Sequence, residues 1–202
     1  MWYGGIQMIR TDCIFYRGEK PCQFHKKYGV ECNEKCKYYE KIGKRILIIK
    51  KDALGDVLRT THLLHSLREK YGDKIQIVWL TATNAYDLLK NNPYINVVHK
   101  FNFTTSLQLQ AEEFDILFNL DKDKSALALS RLIKAKEKYG FTMNKSGNLE
   151  TFTDNGLYAL TLGLSDKKKR DNTKTYQEII TQLLELPYSE DYKYILKIPN
   201  RE

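Results

Sequence analysis

The stretch RILIIKKDALGDVLRTT, residues 45–61, decides the fold of this chain. Its first part, Arg45 to Lys50, is a short run of aliphatic and β-branched residues, which is typical of a buried parallel strand. A turn follows over residues 51–55, and apolar residues then recur from Asp56 to Tyr71 at the spacing of an amphipathic helix. Gly72 and Asp73 are expected to end that helix. The stretch therefore predicts a strand, a turn and a helix, the beginning of a βαβ unit.

The same alternation of strand and helix patterns continues to residue 141. Four more apolar segments predict strands, and the segments between them predict helices. Because helices join successive strands, the strands are expected to lie parallel in one sheet, connected by right-handed crossovers. The predicted fold class is α/β, a Rossmann-like parallel sheet flanked by helices. The predicted strands are residues 74–80, 95–99, 114–120 and 138–141, and the predicted helices are residues 83–90, 106–113 and 124–134.

The pattern weakens after residue 141. Residues 142–173 carry turn-forming Gly and Asn residues and a basic run at 167–170, which together predict loops. Residues 175–186 are amphipathic and predict a final helix before Pro187. The alternation of apolar and polar residues over 192–198 predicts a last strand.

Composition excludes several classes of protein. The chain has 202 residues, of which 42% are hydrophobic and 29% charged, with 11 Gly and 4 Pro. Collagen-like, low-complexity and wholly disordered chains are therefore excluded. The longest aliphatic run, residues 46–49, is far shorter than the roughly 20 residues that cross a bilayer. Since the first residues also lack the charged and hydrophobic regions of a secretory signal, a cytoplasmic protein is expected.

The basic charge is concentrated near the N-terminus. Residues 1–45 hold ten Lys or Arg against five Asp or Glu, whereas the whole chain has a formal net charge of +8. This excess would suit an anionic partner, either a nucleic acid or an acidic or phosphorylated glycan at a membrane surface. An ordinary solvated surface explains it equally well, because net charge says little about any one partner.

All four cysteines lie in residues 1–43, a predicted Cys-rich leader that precedes a second predicted domain, residues 44–202. In the reducing cytosol, four clustered cysteines favour metal binding over disulfides. Their spacing, C-x8-C-x9-C-x3-C, ends in a short pair of the kind found in zinc sites. A structural zinc site is expected; an iron–sulfur cluster, a disulfide module and unligated thiols stay open as alternatives. The expected ligands are Cys13, Cys22, Cys32 and Cys36, with His25 as a substitute ligand.

The turn between the first strand and the first helix carries the candidate chemistry. Ligands of open α/β sheets bind at the carboxyl ends of the strands; Gly55 lets a ligand approach the backbone, and the first amides of the helix can hold an anion. The segment has neither the G-x-G-x-x-G dinucleotide motif nor the G-x-x-x-x-G-K-[ST] phosphate-binding loop. Asp56, stabilised in its ionised form by the helix dipole, could accept a proton from a bound hydroxyl. The alternative is an N-cap carboxylate that serves only the helix, which cap statistics favour.

Four segments, in order, resemble the family 9 glycosyltransferases, which include the ADP-heptose:lipopolysaccharide heptosyltransferases. Residues 46–61 match the pattern I-L-I-I-K-x-x-x-L-G-D-V-L-x-T-T of that family, and residues 92–98 (NPYINVV) are similar to its N-P-x-x-D/N-x-V stretch. Residues 114–120 (FDILFNL) and 138–141 (KYGF) continue the likeness. The resemblance covers about residues 45–141 and, more loosely, the last predicted helix. Some members of the family also carry a Cys-rich leader before the first strand, as this chain does.

This resemblance implies a GT-B glycosyltransferase made of two Rossmann-like halves. The N-terminal half, here residues 44–202, would bind the acceptor, and a C-terminal half would bind the nucleotide-sugar donor. The family transfers heptose from an ADP-sugar with inversion and needs no metal for the chemistry. The aspartate of its Gly-Asp pair corresponds to Asp56, which the resemblance implies is the general base that deprotonates the acceptor hydroxyl. The implied acceptor is an envelope glycan of the lipopolysaccharide type.

The residues around Asp56 are candidate acceptor contacts. The family carries Ser or Thr where this chain has the sequence Lys51-Asp52-Ala53. The lysines here could pair with acceptor phosphates or acidic sugars and Asp52 could bind sugar hydroxyls, with exposed loop charges as the alternative. Arg59 shares a helical face with Asp56 and could orient its carboxylate, bind an anion or be merely solvated. The expected substrate-binding residues are Lys50, Lys51, Asp52, Leu54, Gly55, Arg59 and Asp121.

The donor half implied by the resemblance would begin at about residue 200, near the last residue of this sequence. The chain alone is therefore expected to lack donor binding and turnover, with the missing half supplied by a continuation or by a partner. Peripheral contact with the cytoplasmic face of the membrane could bring it to its acceptor.

Two other functions stay open. One is a basic, Cys-rich nucleic-acid-binding module on an inactive Rossmann-like scaffold, with Phe15, Tyr16, Tyr38 and Tyr39 available for stacking. The other is an inert scaffold. Nucleic acid is the less favoured partner, because a binding module does not need a carboxylate at the open edge of the sheet.

Overall fold

The computed structural model describes residues 9–196 and divides the chain into two compact units, Met1–Gly43 and Lys44–Glu202. Among its described residues the first unit has one short helix, α1 (Gln23–Tyr28). An antiparallel bridge pairs Cys13 with Lys41. Cys13 and Ile14 are the only buried apolar side chains in the described part of this unit. A hydrophobic core therefore contributes little to holding it together.

The second unit contains a six-stranded sheet with the strand order β3-β2-β1-β4-β5-β6. Strands β1 to β5 pair in parallel, and β6 pairs antiparallel with β5 at one edge. The expected α/β class, a parallel sheet flanked by helices, is confirmed. The strands are β1 (Lys44–Ile49), β2 (Ile75–Thr81), β3 (Val97–Lys100), β4 (Glu113–Asn119), β5 (Lys134–Met143) and β6 (Leu149–Thr151).

Helices connect the strands and cover both faces of the sheet. Within residues 9–196, none of the helices combines the length and the apolar character that a bilayer crossing requires. Two single 3₁₀ turns, Thr83–Ala85 and Asp154–Gly156, precede α4 and α7. The helices of this unit are α2 (Leu54–Thr60), α3 (Leu63–Tyr71), α4 (Tyr86–Leu89), α5 (Phe103–Ala111), α6 (Lys124–Leu132), α7 (Leu157–Leu164), α8 (Asp166–Arg170) and α9 (Tyr176–Leu183).

Strand β1 is buried on both faces, as its aliphatic run predicts. Ile46 and Ile48 pack with residues of α2, α3 and α9 on one face. Leu47 and Ile49 pack with residues of α5 and α6 on the other face. All four side chains are completely buried, and burying each one contributes about 1.5–3 kcal/mol relative to leaving it exposed. The strand that leads into the candidate site is thus held from both sides.

The helix predicted over residues 56–71 is two helices, α2 and α3, with a break between them. α2 begins at Leu54, earlier than the sequence predicts, and ends at Thr60. At the break, the side chains of Thr60, Thr61 and His62 hydrogen-bond to carbonyl oxygens of the preceding helical turn at 2.7, 2.8 and 2.7 Å. Such bonds compete with the helical ladder and often bend helices. The division therefore has a local cause.

Residues 142–173 contain more regular structure than the sequence predicts. Strand β5 extends to Met143, β6 pairs with it, and α7 and α8 occupy much of the segment that was predicted to be loop. β6 has only three residues, and α7 lacks the charged face that identifies a surface helix, so neither leaves a clear pattern. The strand predicted over 192–198 is wrong for residues 192–196, which form no regular element; residues 197 and 198 lie outside the described part.

Gly140 lets β5 lie close to β4. Its φ is +96°, and a Cβ atom there would lie 1.9 Å from the backbone oxygen of Asn119. Asn119 is itself buried, and its amide nitrogen donates to the carbonyl oxygen of Phe141 at 2.7 Å. Only glycine tolerates both the positive φ and the close approach. The carboxyl end of β4 is therefore joined to β5 through backbone and side chain.

The buried His62 predicts a pH-dependent stability. Burial lowers the pKa of its imidazole below the ordinary 6.5, and within the described residues its Nε2 has no hydrogen-bond partner. The folded chain therefore binds this proton less readily than the unfolded chain does. The neutral His62 imidazole contributes fully to stability above a pH of about 6.5. This contribution is lost as the pH falls toward the lowered pKa, and the free energy of unfolding decreases by no more than about 1.4 kcal/mol per pH unit.

Urea denaturation at about pH 7 and about pH 5 measures this loss. The free energy of unfolding should fall less in His62→Gln than in the wild type, because Gln does not titrate. His65→Gln, on the neighbouring α3, is the matched control. Its free energy of unfolding should fall between the two pH values by as much as that of the wild type. The pKa of His99 is also lowered by burial, so part of the pH dependence persists in every variant. If the free energy of unfolding falls equally between the two pH values in the wild type and in His62→Gln, the pH dependence does not come from His62.

Candidate functional site

The carboxyl ends of β1 and β4 open onto a cavity of about 590 Å³. The predicted residues Lys50, Asp56 and Asp121 all line it, and side chains from α7 and α9 form an apolar wall. Ligands of open α/β sheets bind at this position. The volume is in the range of small-molecule sites. The structure thus brings three of the predicted site residues to one concave surface.

Lys50 and Asp121 form a buried ion pair that joins the ends of the two strands. Lys50 Nζ lies 2.7 Å from Asp121 Oδ1, and the two side chains are only 6% and 7% exposed. Lys50 Nζ also donates to the carbonyl oxygen of Asp52, and Asp121 Oδ2 accepts from the backbone N–H of Lys51. Burial raises the pKa of the Asp121 carboxyl, and the Lys50 ammonium acts in the opposite direction. Both charges are therefore satisfied within the chain before any ligand binds.

Lys51 ties the same loop to the start of α6. Its Nζ lies 2.9 Å from Asp123 Oδ1 and 2.7 Å from Ser125 Oγ. The ammonium also lies 4.0 Å from the ring centre of Phe101, and the side chain is buried. In the described part of the chain Lys51 does not line the cavity. Its observed contacts are structural, and its predicted contact with the acceptor stays a prediction.

Asp56 lines the cavity and is held by Arg59. Arg59 Nη2 donates to Asp56 Oδ1, and this hydrogen bond raises the pKa of Arg59. The guanidinium lies 4.3 Å from the ring centre of Tyr176, whose own pKa is raised by burial. Within residues 9–196, no hydrogen bond to Asp56 Oδ2 is found. The carboxylate is thus fixed through one oxygen, and the other is left for a ligand in the cavity.

Asp56 does not cap its helix. The N-cap of α2 is Ala53, which offers no side-chain bond, and Asp56 is the third residue inside the helix. The alternative interpretation, a carboxylate that serves only as an N-cap, therefore does not apply here. With seven residues, α2 is also too short for its N-terminus to be taken as an anion site on its own.

Asp52, Leu54 and Gly55 are exposed in the turn before Asp56. Among the described residues these three do not line the cavity, so their contacts with an acceptor stay predictions. Gly55 has no steric reason to be glycine, because a Cβ atom there would meet nothing within 4 Å. The space beside it is open to a ligand.

The further lining residues, which the sequence did not single out, include three lysines and a tyrosine: Lys122, Lys169, Lys174 and Tyr176. Lys122 follows Asp121 directly, and its ammonium lies 4.6 Å from the ring centre of Phe141. Burial, and to a lesser degree the nearby Lys50, lowers the pKa of Lys122. Among residues 9–196 no carboxylate is paired with it. A partly buried ammonium without a carboxylate is suited to bind an anion.

The sequence carried only weak signals for these four. Lys169 belongs to the basic run that was predicted to be a loop, and Tyr176 to the last predicted helix. Neither position identifies a neighbour of Asp56, because the contact between Arg59 and Tyr176 joins distant parts of the chain. Only the packing of α9 against α2 shows it.

The first unit has a separate cavity of about 560 Å³, which is lined by all four cysteines and His25. The four thiols are free; Cys13 is buried and Cys32 is exposed. Within residues 9–196, no group of three or more His, Cys, Asp or Glu side chains is arranged to hold a metal ion. The described residues therefore do not support the expected ligand set Cys13, Cys22, Cys32 and Cys36. Zinc and an iron–sulfur cluster stay predictions.

The aromatic side chains of the first unit pack against one another. The rings of Phe24 and Tyr38 are stacked at 4.2 Å, and Phe15 meets Phe24 edge-on at 4.8 Å. The Tyr39 hydroxyl donates to Asp12 at 2.6 Å. Three of the four aromatic residues considered for stacking on nucleic acid are thus engaged within the unit. This arrangement weakens the nucleic-acid-binding alternative.

Solved structures that match part of the chain come from the family that its motifs resemble. One is E. coli heptosyltransferase WaaC with ADP, with 20% identity, 47% of this chain and 34% of that chain covered, and a TM-score of 0.42. Another is a glycosyl transferase family 9 protein from Veillonella parvula DSM 2008, with 25% identity, coverage of 49% and 32%, and a TM-score of 0.41. A third is E. coli ADP-heptose lps heptosyltransferase II, with 17% identity, coverage of 44% and 28%, and a TM-score of 0.39.

No family model and no curated protein matches the chain. The matched region spans about a third of the length of the solved structures, 34% and 32% in the first two. The likeness to these structures is therefore partial.

The ion pair between Lys50 and Asp121 predicts a large loss of stability when one partner is removed. Asp121→Asn leaves the Lys50 ammonium buried without a carboxylate, and the free energy of unfolding should fall by about 3–5 kcal/mol. Asp171→Asn is the control, because Asp171 pairs with Lys167 on the surface, where a pair contributes no more than about 1 kcal/mol.

Urea denaturation measures both variants. The double variant Lys50→Met/Asp121→Leu should recover part of the loss, because apolar residues can replace a buried pair, although the backbone N–H of Lys51 then loses its acceptor. Similar losses in Asp121→Asn and Asp171→Asn would show that the pair does not hold the strand ends together.

Proposed function

We propose that this chain is the acceptor-binding half of an inverting, heptosyltransferase-like glycosyltransferase that transfers a sugar from a nucleotide-sugar donor to an envelope glycan of the lipopolysaccharide type. The observation that carries the proposal is the position of Asp56 in the cavity, with Oδ1 held by Arg59 and Oδ2 without a hydrogen-bond partner among the described residues. A general base needs this combination of fixed orientation and one accessible oxygen. The sequence resemblance to family 9 supports the same role.

The proposed step is a single displacement. Asp56 Oδ2 takes the proton of an acceptor hydroxyl while the acceptor oxygen forms a bond to the anomeric carbon of the donor sugar. The bond from that carbon to the donor diphosphate breaks, and the diphosphate leaves with the electron pair. Attack opposite the leaving group inverts the anomeric centre. Arg59 and Tyr176 are positioning residues, because Arg59 holds the carboxylate and the Tyr176 ring contacts the Arg59 guanidinium.

The charges of the cavity favour an acidic acceptor. Lys50 is already paired with Asp121, whereas Lys122 has no carboxylate partner in the described part of the chain. Lys169 and Lys174 line the same cavity. An acceptor phosphate or sugar carboxylate near Lys122 would satisfy this cation, while Leu120 and Phe141 would contact the apolar face of a sugar ring.

The other parts of the proposal come from the sequence resemblance. The donor is an ADP-heptose-like nucleotide sugar, and its binding site belongs to a C-terminal domain outside this chain. No metal is used in the reaction, and a structural zinc in the first unit is a separate proposal. The protein would act in the cytoplasm, in peripheral contact with the inner face of the membrane.

Asp56→Asn tests the proposed base. The variant keeps the shape of the side chain but cannot accept the proton, so the rate of transfer should fall by about 10²–10⁴-fold. The assay measures transfer from ADP-heptose to a lipopolysaccharide precursor, with the chain continued by a donor-binding domain. Asp87→Asn is the matched control, because Asp87 also forms an ion pair with a cation three residues later, Lys90, but lies outside the cavity.

A wild-type rate in Asp56→Asn would refute the role of this carboxylate. Hydrolysis or transfer of an ADP-sugar by the 202-residue chain alone would instead refute the division between an acceptor half and a donor half.

Lys122→Met tests the acidic acceptor. Loss of one charged hydrogen bond should weaken binding of acidic envelope oligosaccharides by about tenfold to hundredfold. Isothermal titration calorimetry with the 202-residue chain measures this affinity without a donor. Lys124→Met, which removes an exposed charge on α6 outside the cavity, should bind as the wild type does. Equal affinity of the wild type for acidic and neutral oligosaccharides would contradict the assignment.

A further inference from the structure

Helix α7 presents an apolar surface that the second unit does not cover. Its sequence, LYALTLGL, contains no charged residue. Ala159 is buried in the core and Leu162 lines the cavity, so one side of the helix faces the protein. Leu157 and Leu164 are 48% and 75% exposed. Because they are seven residues apart, they share one helical face.

Helix α8 places a cluster of cations directly after this surface. The Ser165 side chain accepts from the backbone N–H of Lys168 and caps α8, so the second helix begins without a linker. Residues 166–174 contain five Lys or Arg and two Asp. Lys167 pairs with Asp171 at 2.6 Å, whereas the described residues show no ion pair for Lys168, Lys169 or Arg170.

An exposed apolar face followed directly in sequence by cations without ion pairs indicates the chemistry of the partner. Leucines enter the acyl boundary of a lipid bilayer, and lysines and arginines beside them contact the phosphates of anionic headgroups. A nucleic acid would use the cations but would offer little to Leu157 and Leu164. A purely solvated surface would not need the two leucines. The combination therefore favours an anionic lipid surface over both.

We propose that α7 and α8 form a docking surface for an anionic phospholipid bilayer, with Leu157 and Leu164 entering the interface and Lys168 and Arg170 contacting the headgroups. Leu162, Gly163 and Lys169 of the same segment line the cavity that contains Asp56. A docked chain would hold the mouth of the cavity near the membrane, where a lipid-anchored acceptor lies. The proposal deepens the peripheral membrane contact of the proposed function and rests on it for the link to the acceptor, whereas binding to lipid does not depend on the catalytic role of Asp56.

Co-sedimentation of the 202-residue chain with vesicles tests the proposal. Vesicles of phosphatidylcholine with phosphatidylglycerol should bind the chain, and vesicles of phosphatidylcholine alone should bind it much less. The variants Leu157→Ser/Leu164→Ser and Lys168→Glu/Arg170→Glu should each reduce binding by about tenfold or more. All four positions are exposed, so circular dichroism should show a folded protein in both variants.

The matched control is Phe103→Ser/Leu107→Ser on α5. These two side chains are 79% and 51% exposed, but they are not followed by a basic helix. This variant should bind vesicles as the wild type does. Equal binding of the wild type to neutral and anionic vesicles, or equal loss in the α5 control, would overturn the proposal.

Two further outcomes would also overturn it. Loss of binding with the charge variant but not with the leucine variant would indicate a purely electrostatic site, such as one for nucleic acid. A wild-type dimer on gel filtration that the leucine variant converts to a monomer would indicate that a second copy of the chain covers α7. The vesicles contain neither donor nor acceptor sugar, so the result is independent of whether Asp56 is a general base.

Discussion

The ion pair between Lys50 and Asp121 is the interaction on which the site depends. It joins the carboxyl ends of β1 and β4 in a place that water hardly reaches. The loop after β1 leads into α2, which contains Asp56, and the loop after β4 contains Lys122. Each charge satisfies its partner, and the remaining carboxylate oxygen accepts from the backbone of Lys51. A buried pair is weak evidence for stability by itself, and its importance here is that it fixes the geometry of two loops.

Much of the fold could be predicted from the sequence. Strands such as β1 and β4 are continuous apolar runs, and burial on both faces requires such runs in a parallel sheet. The division between α2 and α3 could not be predicted, because the apolar periodicity continues across it and does not show that the side chains of Thr60, Thr61 and His62 bond to carbonyl oxygens of the preceding turn. α7 could not be predicted either, because its exposed side is as apolar as its buried side and the sequence therefore lacks the periodic pattern of a surface helix.

The candidate site could be predicted in part. Asp56 and Arg59 stand out because the end of a strand and the start of a helix are adjacent in sequence, and their contact is local. Lys50 and Lys51 look like exposed loop charges in the sequence, yet both are buried against acids about 70 residues away, Asp121 and Asp123. Tyr176 and Lys122 come to the cavity only through tertiary packing. Local patterns therefore identify Asp56 and its partner Arg59, but not the rest of the cavity.

The contact between Arg59 and Tyr176 has a consequence for the order in which the molecule is made. When translation has produced β1 to β5, the parallel strands of the sheet are present. Tyr176, whose ring contacts the Arg59 guanidinium, has not yet been synthesised. The arrangement around Asp56 is completed only when α9 emerges and docks. An unfinished polypeptide that lacks α9 therefore contains these strands but not the Tyr176 ring beside Arg59, and the cavity is complete only after α9 has packed.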